Sequence, residues 1–416
     1  MSPLVIIIGA GIAGLAAAKH LKQNGIECFI LEAQDRIGGR IKTLSSEDCL
    51  LDHGASWVHG VFGNPLSEII SSENIETIKA RESKHFLYGK KGIPINDDGE
   101  TKKIINSFEK DFVEKIKENH SLAQAFEEHI SDLSYQDDLL SWYKHEYMAA
   151  TGAALDEIDA RAYFTDEYQK GGDDLVVGGY RQILNPFLDG LDIRLDEAVS
   201  TIECGQDVKI KTLADKKYIC DAVILTVPLG VLKKKKIEFF PPLPTDKTNA
   251  IQRLEMGVLN KTFCFFESSF WSEDVEGFGV AGPDYQNFPY VLNLKPIAEK
   301  NLLCFFSYGN QAVEMEKLSD EEVGDRVISY LSHSFENLPK LEKIIRTNWG
   351  DDPWTYGSYS FVATGNSETD YDIMAESYLD KIFFAGEATS LSYRATVNGA
   401  MDSGVREADK IINIYH

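Results

Sequence analysis

An α/β fold built on a parallel sheet is what this sequence predicts, and three observations predict it. Val5-Ile-Ile-Ile8 is a fully apolar run that stops at a glycine, the mark of a strand buried on both faces. Ala13 to Gln23 is Ala-rich and free of proline, which is a helical composition. Ile26 to Leu31 returns to strand character, so the first 32 residues read as a βαβ unit.

The elements that follow are of a different kind. Thr101 to Met148 is rich in Lys, Glu, Leu, Phe and Ala without Gly or Pro, and predicts several consecutive helices. The pairs Gly171-Gly172 and Gly178-Gly179 mark a return to strands, with short β-rich runs at Ile193-Arg-Leu195, Val199 to Ile202, Val208 to Lys211 and Ala222 to Val227. Lys233 to Lys236, framed by Pro228 and Pro241, reads as a solvated loop. Strand-like segments recur from Leu259 to Tyr308, and Asp320 to Leu331 and Pro339 to Ile345 are expected to be helical. Ile382-Phe-Phe384 reads as a buried strand, followed by a glycine-rich loop and a final helix to Ile414. Nothing repeats, and the pieces imply two intertwined domains.

Composition narrows the function. The 416 residues carry 42 Lys plus Arg against 66 Asp plus Glu, a formal charge of −24. Such a surface repels phosphate backbones and anionic lipid, which argues against nucleic acid or a membrane as partner. It suits a small cation, or simply solubility. The six cysteines have neither metal-ligand nor redox spacing, so no metal site is expected and a reduced, cytoplasmic setting is. Leu4 to Leu21 lacks the basic start and the cleavage site of a signal peptide. Oligomeric state is left open.

Gly9-Ala-Gly11-Ile-Ala13-Gly14 falls between the first strand and helix, and Glu32 ends the second strand 18 positions after Gly14. The first glycine permits a tight turn, the second lets the backbone approach a pyrophosphate, and the third lets helix and strand pack closely. The helix N-terminus faces the phosphates and Glu32 accepts from a ribose hydroxyl. The loop alone does not separate NAD from FAD. Glu32-Ala33-Gln-Asp-Arg36-Ile-Gly38-Gly39-Arg40 adds two arginines around a glycine pair, able to neutralise a diphosphate and favouring flavin.

At this point the sequence resembles the FAD-dependent amine oxidase family, which includes polyamine oxidases, monoamine oxidases and lysine-specific histone demethylases. The likeness returns in order along the chain. It covers Leu51-Asp-His-Gly54-Ala55-Ser56-Trp57-Val-His59-Gly60, Gly178-Gly179-Tyr180 with Val199, Val223 to Leu232, and Met256-Gly-Val-Leu-Asn-Lys261. It resumes at Trp349 to Ser360 and at Phe384-Ala-Gly386-Glu387 through Gly399-Ala400. The resemblance implies a Rossmann-type, doubly wound FAD-binding domain from 1–75, 175–255 and 350–416. Intertwined with it is an α+β substrate-binding domain, a helical segment plus a mixed sheet, from 76–174 and 256–349.

It also implies site residues. Gly54, Ala55, Ser56 and Trp57 match the segment that passes the flavin ring, Val199 the adenine strand, and Glu387 an acidic residue near the ribityl and phosphate region. Thr396 and Val397 open a helix whose N–H groups face the pyrimidine end of the ring. Lys261 matches a lysine that reaches flavin N5 through a water, implicated in reoxidation by oxygen or in imine hydrolysis. Its neighbours Leu259, Phe263 and Phe265 put it in a segment expected to be buried, and a buried lysine is paired or functional. His59 matches an active-site histidine of several polyamine oxidases, and Tyr393 an aromatic residue above the flavin. Asp166 and Glu167 resemble an acidic pair beside the substrate channel. Trp354 and Tyr359 are weaker candidates than Tyr393 for that aromatic role, expected rather in the core.

Thr396 stands where monoamine oxidases have the second tyrosine of their aromatic pair, Asn398 replaces a common histidine, and no cysteine stands just before Phe384 to hold the flavin covalently. Non-covalent FAD is therefore expected, and a polyamine oxidase rather than a monoamine oxidase. Such an enzyme passes a hydride equivalent from the carbon beside an amine nitrogen to FAD N5. The imine hydrolyses to aldehyde plus amine, and O2 becomes H2O2. The alternatives are a demethylase-like oxidase of methylated lysine peptides, a flavin amino-acid oxidase, and a non-catalytic FAD-binding protein.

Overall fold

In the computed structural model of the chain, residues 3–96, 99–115, 117–130, 137–165 and 170–415 are described. The opening apolar run forms the strand Leu4–Ile8, the middle member of a five-stranded sheet. Its order is Ile382–Phe384, Ala222–Leu225, Leu4–Ile8, Glu27–Leu31, Ile193–Arg194, and every pair is parallel. Val5 and Ile7 face one apolar cluster and Ile6 and Ile8 another, because successive side chains on a strand point to opposite faces. That two-sided burial explains why the run has no polar alternation.

On the first face lies the predicted helix Ile12–Gln23, packed along the C-terminal helix Val397–Tyr415. The contact is close because Gly404 has no side chain: a Cβ there would lie 2.1 Å from the Ala13 carbonyl oxygen. On the other face sits a four-stranded sheet ordered Lys217–Cys220, Val208–Thr212, Val199–Cys204, Glu238–Phe240. The short runs expected between 193 and 227 are thus strands, divided between two sheets.

A six-stranded sheet forms the second body, ordered Leu341–Arg346, Leu259–Phe266, Leu302–Tyr308, Tyr290–Asn293, Gly277–Val280, His85–Tyr88. All its pairs are antiparallel except the last, which is parallel. The helical segment appears as Glu100–Lys115, Leu122–Ile130 and Asp137–Thr151. Asp320–Ser332 is a helix begun by a capping box of Ser319 and Glu322.

Pro339 to Ile345 departs from expectation. Leu341–Arg346 is an edge strand paired with the strand of Lys261. Leu341, Ile344 and Ile345 have helical spacing, but the adjacent β-branched pair is satisfied better on a pleated surface. Lys233 also departs from the solvated loop: it ends the helix Leu229–Lys233, and its Nζ donates to the carbonyls of Gln252 and Leu254. Among the described residues, no helix is long and apolar enough to cross a membrane.

Candidate functional site

A cavity of about 1030 Å³ runs from the glycine turn after Leu4–Ile8 to the face of the six-stranded sheet. Gly9 and Gly11 line its first part, with Gly9 at φ +107° and open space where a Cβ of Gly11 would stand. Gly14 lies outside the lining and serves packing, since a Cβ there would come within 2.0 Å of the Gly9 carbonyl oxygen. Ala13, Glu32, Ala33, Arg40 and Val199 are on the wall. The Glu32 carboxylate accepts from the N–H of Ala10 at 2.7 Å and of Gln34 at 2.9 Å, which orients it at the strand end. Burial raises its pKa.

The two arginines behave differently from one another. Arg40 lines the cavity, and its Nη1 donates to Glu387 at 2.7 Å and to the Ser358 carbonyl at 3.0 Å. A buried carboxylate thus fixes the guanidinium on the wall through Nη1. Arg36 is absent from the lining. Glu387 also accepts from Ser360, joining the two C-terminal motifs. Glu197 Oε2 and Asn398 Nδ2 are buried and have no hydrogen-bond partner among the described residues, and both residues line the cavity. A glycine cradle beside open space and two such polar atoms fit a bound dinucleotide. Gly54, Ala55, Ser56, Trp57, Thr396 and Val397 line the same cavity. No cysteine stands among the described lining residues.

Lys261 is buried where the cavity meets the six-stranded sheet. Its Nζ donates to the carbonyls of Asp52 at 2.8 Å and Gly54 at 2.7 Å, and lies 2.5 Å from Ser56 Oγ. Trp57 and Phe306 flank it, with ring centroids at 5.6 and 5.7 Å. Burial lowers its pKa, opposed by Cys304 and Asp52. Carbonyls only accept, whereas the hydroxyl works in either direction. An ammonium can spend its third N–H on Ser56. A neutral amine can instead accept the Ser56 proton on its lone pair, so the cradle holds both states without moving an atom heavier than hydrogen.

His59 lies at the exposed mouth, its Nδ1 2.7 Å from Asp173. Burial pushes the Asp173 carboxyl up, but His59 and the Gly60 N–H outweigh it and hold it below its ordinary value. From the mouth inward the rings of His59, Trp57, Phe306, Tyr290 and His145 follow one another at 5.5–6.5 Å. Tyr393 adjoins the cavity wall without being one of its lining residues. It sits in a left-handed turn at φ +58°, and Arg394 and Ala395 beside it reach the cavity. Trp354 and Tyr359, expected in the core, line the cavity. Asp166 and Glu167 lie outside the described residues.

Sequence reasoning missed His53, His85, His145, Tyr290 and Phe306, all on the cavity wall. Trp142 and His145, three apart on a helix with Leu139 also buried, look like a core stripe. Only the meeting of that helix with the sheet makes it a wall.

A family profile described as "Flavin containing amine oxidoreductase" matches residues 12–412. Polyamine oxidase 4 of Oryza sativa subsp. japonica is 34% identical over 98% of this chain and 88% of its own length. Lysine-specific histone demethylase 1 homolog 1 of the same plant is 34% identical over 99% of this chain, which spans 52% of that protein. A solved structure of a putrescine oxidase redesigned in its cofactor binding covers 99% of each chain, with a TM-score of 0.81 at 21% identity, a likeness of fold. Similarity that runs from one end of the chain to the other, and that takes in the walls of this cavity, makes the protein a member of the flavin containing amine oxidoreductase family: it is an FAD-dependent amine-oxidising enzyme.

Proposed function

We propose that the enzyme is a polyamine oxidase acting on amines of the spermine and spermidine class. The observation that carries this reading is the succession of rings from the Asp173–His59 mouth past Lys261. A long flexible cation suits such a passage, because ring faces attract ammonium groups while excluding water. Several relatives that match over nearly the whole chain are polyamine oxidases.

Bound FAD, held without a covalent link, supplies the two-electron acceptor. The protein's task is to present the carbon beside a neutral nitrogen. An alkylamine with a pKa near 10 costs about 4 kcal/mol to deprotonate at pH 7, and burial at the Lys261 end of the cavity offsets part of that by withdrawing water from the charged form. Loss of the C–H hydrogen with its electron pair leaves an iminium, and release of the N–H proton turns it into the imine. Water adds to the imine carbon, the C–N bond breaks, and an aldehyde and an amine depart. Oxygen takes the electron pair with two protons and becomes hydrogen peroxide. Lys261, able to hold or release a proton against Ser56, is the group that serves the proton transfers. A reducing, cytoplasmic setting belongs to the proposal and is supported by six free thiols.

The test is anaerobic mixing of the FAD-loaded enzyme with spermine, spermidine, their acetylated forms, a monoamine and a methyl-lysine peptide, following loss of flavin absorbance. Rapid bleaching by one polyamine is expected. Bleaching by the peptide alone would transfer the enzyme to the demethylase type.

A further inference from the structure

The cavity carries a second polar group that no motif named and that the reaction above does not use. His145, on the helix Asp137–Thr151, is buried in the wall with 7% of its surface exposed. Its Nδ1 contacts the Trp142 carbonyl oxygen, and because a carbonyl only accepts, Nδ1 carries the proton. A neutral imidazole has one N–H, so Nε2 holds a lone pair. No group among the described residues hydrogen-bonds that atom. The ring is fixed by Tyr290, parallel within 9° at 5.5 Å, and by Trp142 at 4.7 Å. Burial, reinforced by His85, holds the imidazole at a pKa of about 4 despite the Trp142 contact, so the lone pair persists at neutral pH.

Position gives this acceptor its meaning. Lys261 Nζ rests against Trp57 and Phe306, and His145 lies two rings beyond Phe306, away from the His59 mouth. We propose that His145 Nε2 accepts an N–H of the substrate's second, non-reacting nitrogen, so that the enzyme selects amines bearing two separated nitrogens. This rests on the polyamine reading and specifies how the far end is recognised. The second nitrogen arrives as an ammonium, and the field of Glu146, a cavity-lining carboxylate felt at the Tyr290 hydroxyl, favours it.

The test is anaerobic calorimetry of 1,8-diaminooctane and 1-aminooctane binding to FAD-loaded wild type, His145→Phe, His145→Asn and His145→Gln. Phenylalanine keeps the stack on Tyr290 and removes the acceptor. Its diamine affinity is expected to fall about tenfold, the size of one hydrogen bond to a charged group, with monoamine affinity within about twofold. Glutamine, whose carbonyl reaches the Nε2 position, restores most of the loss. Asparagine keeps a donor for Trp142 but falls short of that position, and so repeats the loss should the phenylalanine variant not fold. Equal losses for both amines, or none for the diamine, overturn the assignment. Spermine bleaching alongside unchanged diamine binding removes His145 and leaves the polyamine reading standing. No bleaching by spermine, with the diamine loss intact, does the reverse.

Discussion

Lys261 is held by three oxygens within 2.5–2.8 Å, two of which cannot donate. Replacing it by methionine leaves the Asp52 and Gly54 carbonyls unpaired but removes a buried charge, so FAD content is expected to stay near one per chain. Turnover is expected to fall about 10²-fold, the lower end for loss of a proton-transfer group. Unchanged steady-state kinetics would take the lysine out of the mechanism. Ser56→Ala probes the same cradle more gently. A hydrogen bond to an ammonium is worth more than one to an amine, so losing the hydroxyl costs the charged state more. The Lys261 pKa, already lowered by burial, is expected to drop about one further unit. In a kcat/KM profile, the limb that Lys261→Met abolishes should then move to lower pH by about that amount. Movement to higher pH would contradict the two-way role of the hydroxyl.

Between elements, the closest approach that matters for the cofactor is that of the helices Ile12–Gln23 and Val397–Tyr415. Both start at the cavity, with Ile12 and Ala13 on one and Val397 and Asn398 on the other. Gly404 lets them meet, and a methyl group there collides with backbone, which does not yield as a flexible side chain does. Gly404→Ala is expected to destabilise by about 2 kcal/mol through overpacking. Because the shift spreads to the helix starts, the variant should also lose FAD on gel filtration. A variant with wild-type melting and full FAD would show that the helices can part without consequence. The βαβ unit and the last helix were legible because Val5 to Ile8, the glycine triplet and Ala13 to Gln23 act locally. Leu341–Arg346 was not, because a six-residue run with both helical spacing and β-branching is decided by the neighbour it pairs with.

Across the whole molecule, stability is coupled to pH through histidines buried neutral. His53 and His145 have their pKa values lowered from 6.5 to about 4, chiefly by burial. Between these values the unfolded chain binds the protons that the folded one refuses, so stability falls as pH falls from about 6.5 toward about 4. His145 alone contributes on the order of 3 kcal/mol to that fall, its shift converted at about 1.4 kcal/mol per unit. Thermal melting of His145→Phe should accordingly show a shallower loss of Tm between pH 6.5 and 4.5 than the wild type. A parallel loss in both proteins would mean that His145 is protonated in the folded state.

The sequence by itself determined the dinucleotide turn, the strand and helix beside it, the lysine, and the family likeness that binds them, since each is a property of residues close in the chain. It also supplied Glu32 and Glu387 as buried carboxylates of the cavity. Tertiary structure decided what stands opposite what. It pairs Arg40 with Glu387 across the chain and brings Trp354 and Tyr359 to the cavity wall. It also sets His145 of one helix against Tyr290 of a distant strand. A hydrogen-bond partner or a ring face belongs to a pair of elements, and no local pattern encodes the pair.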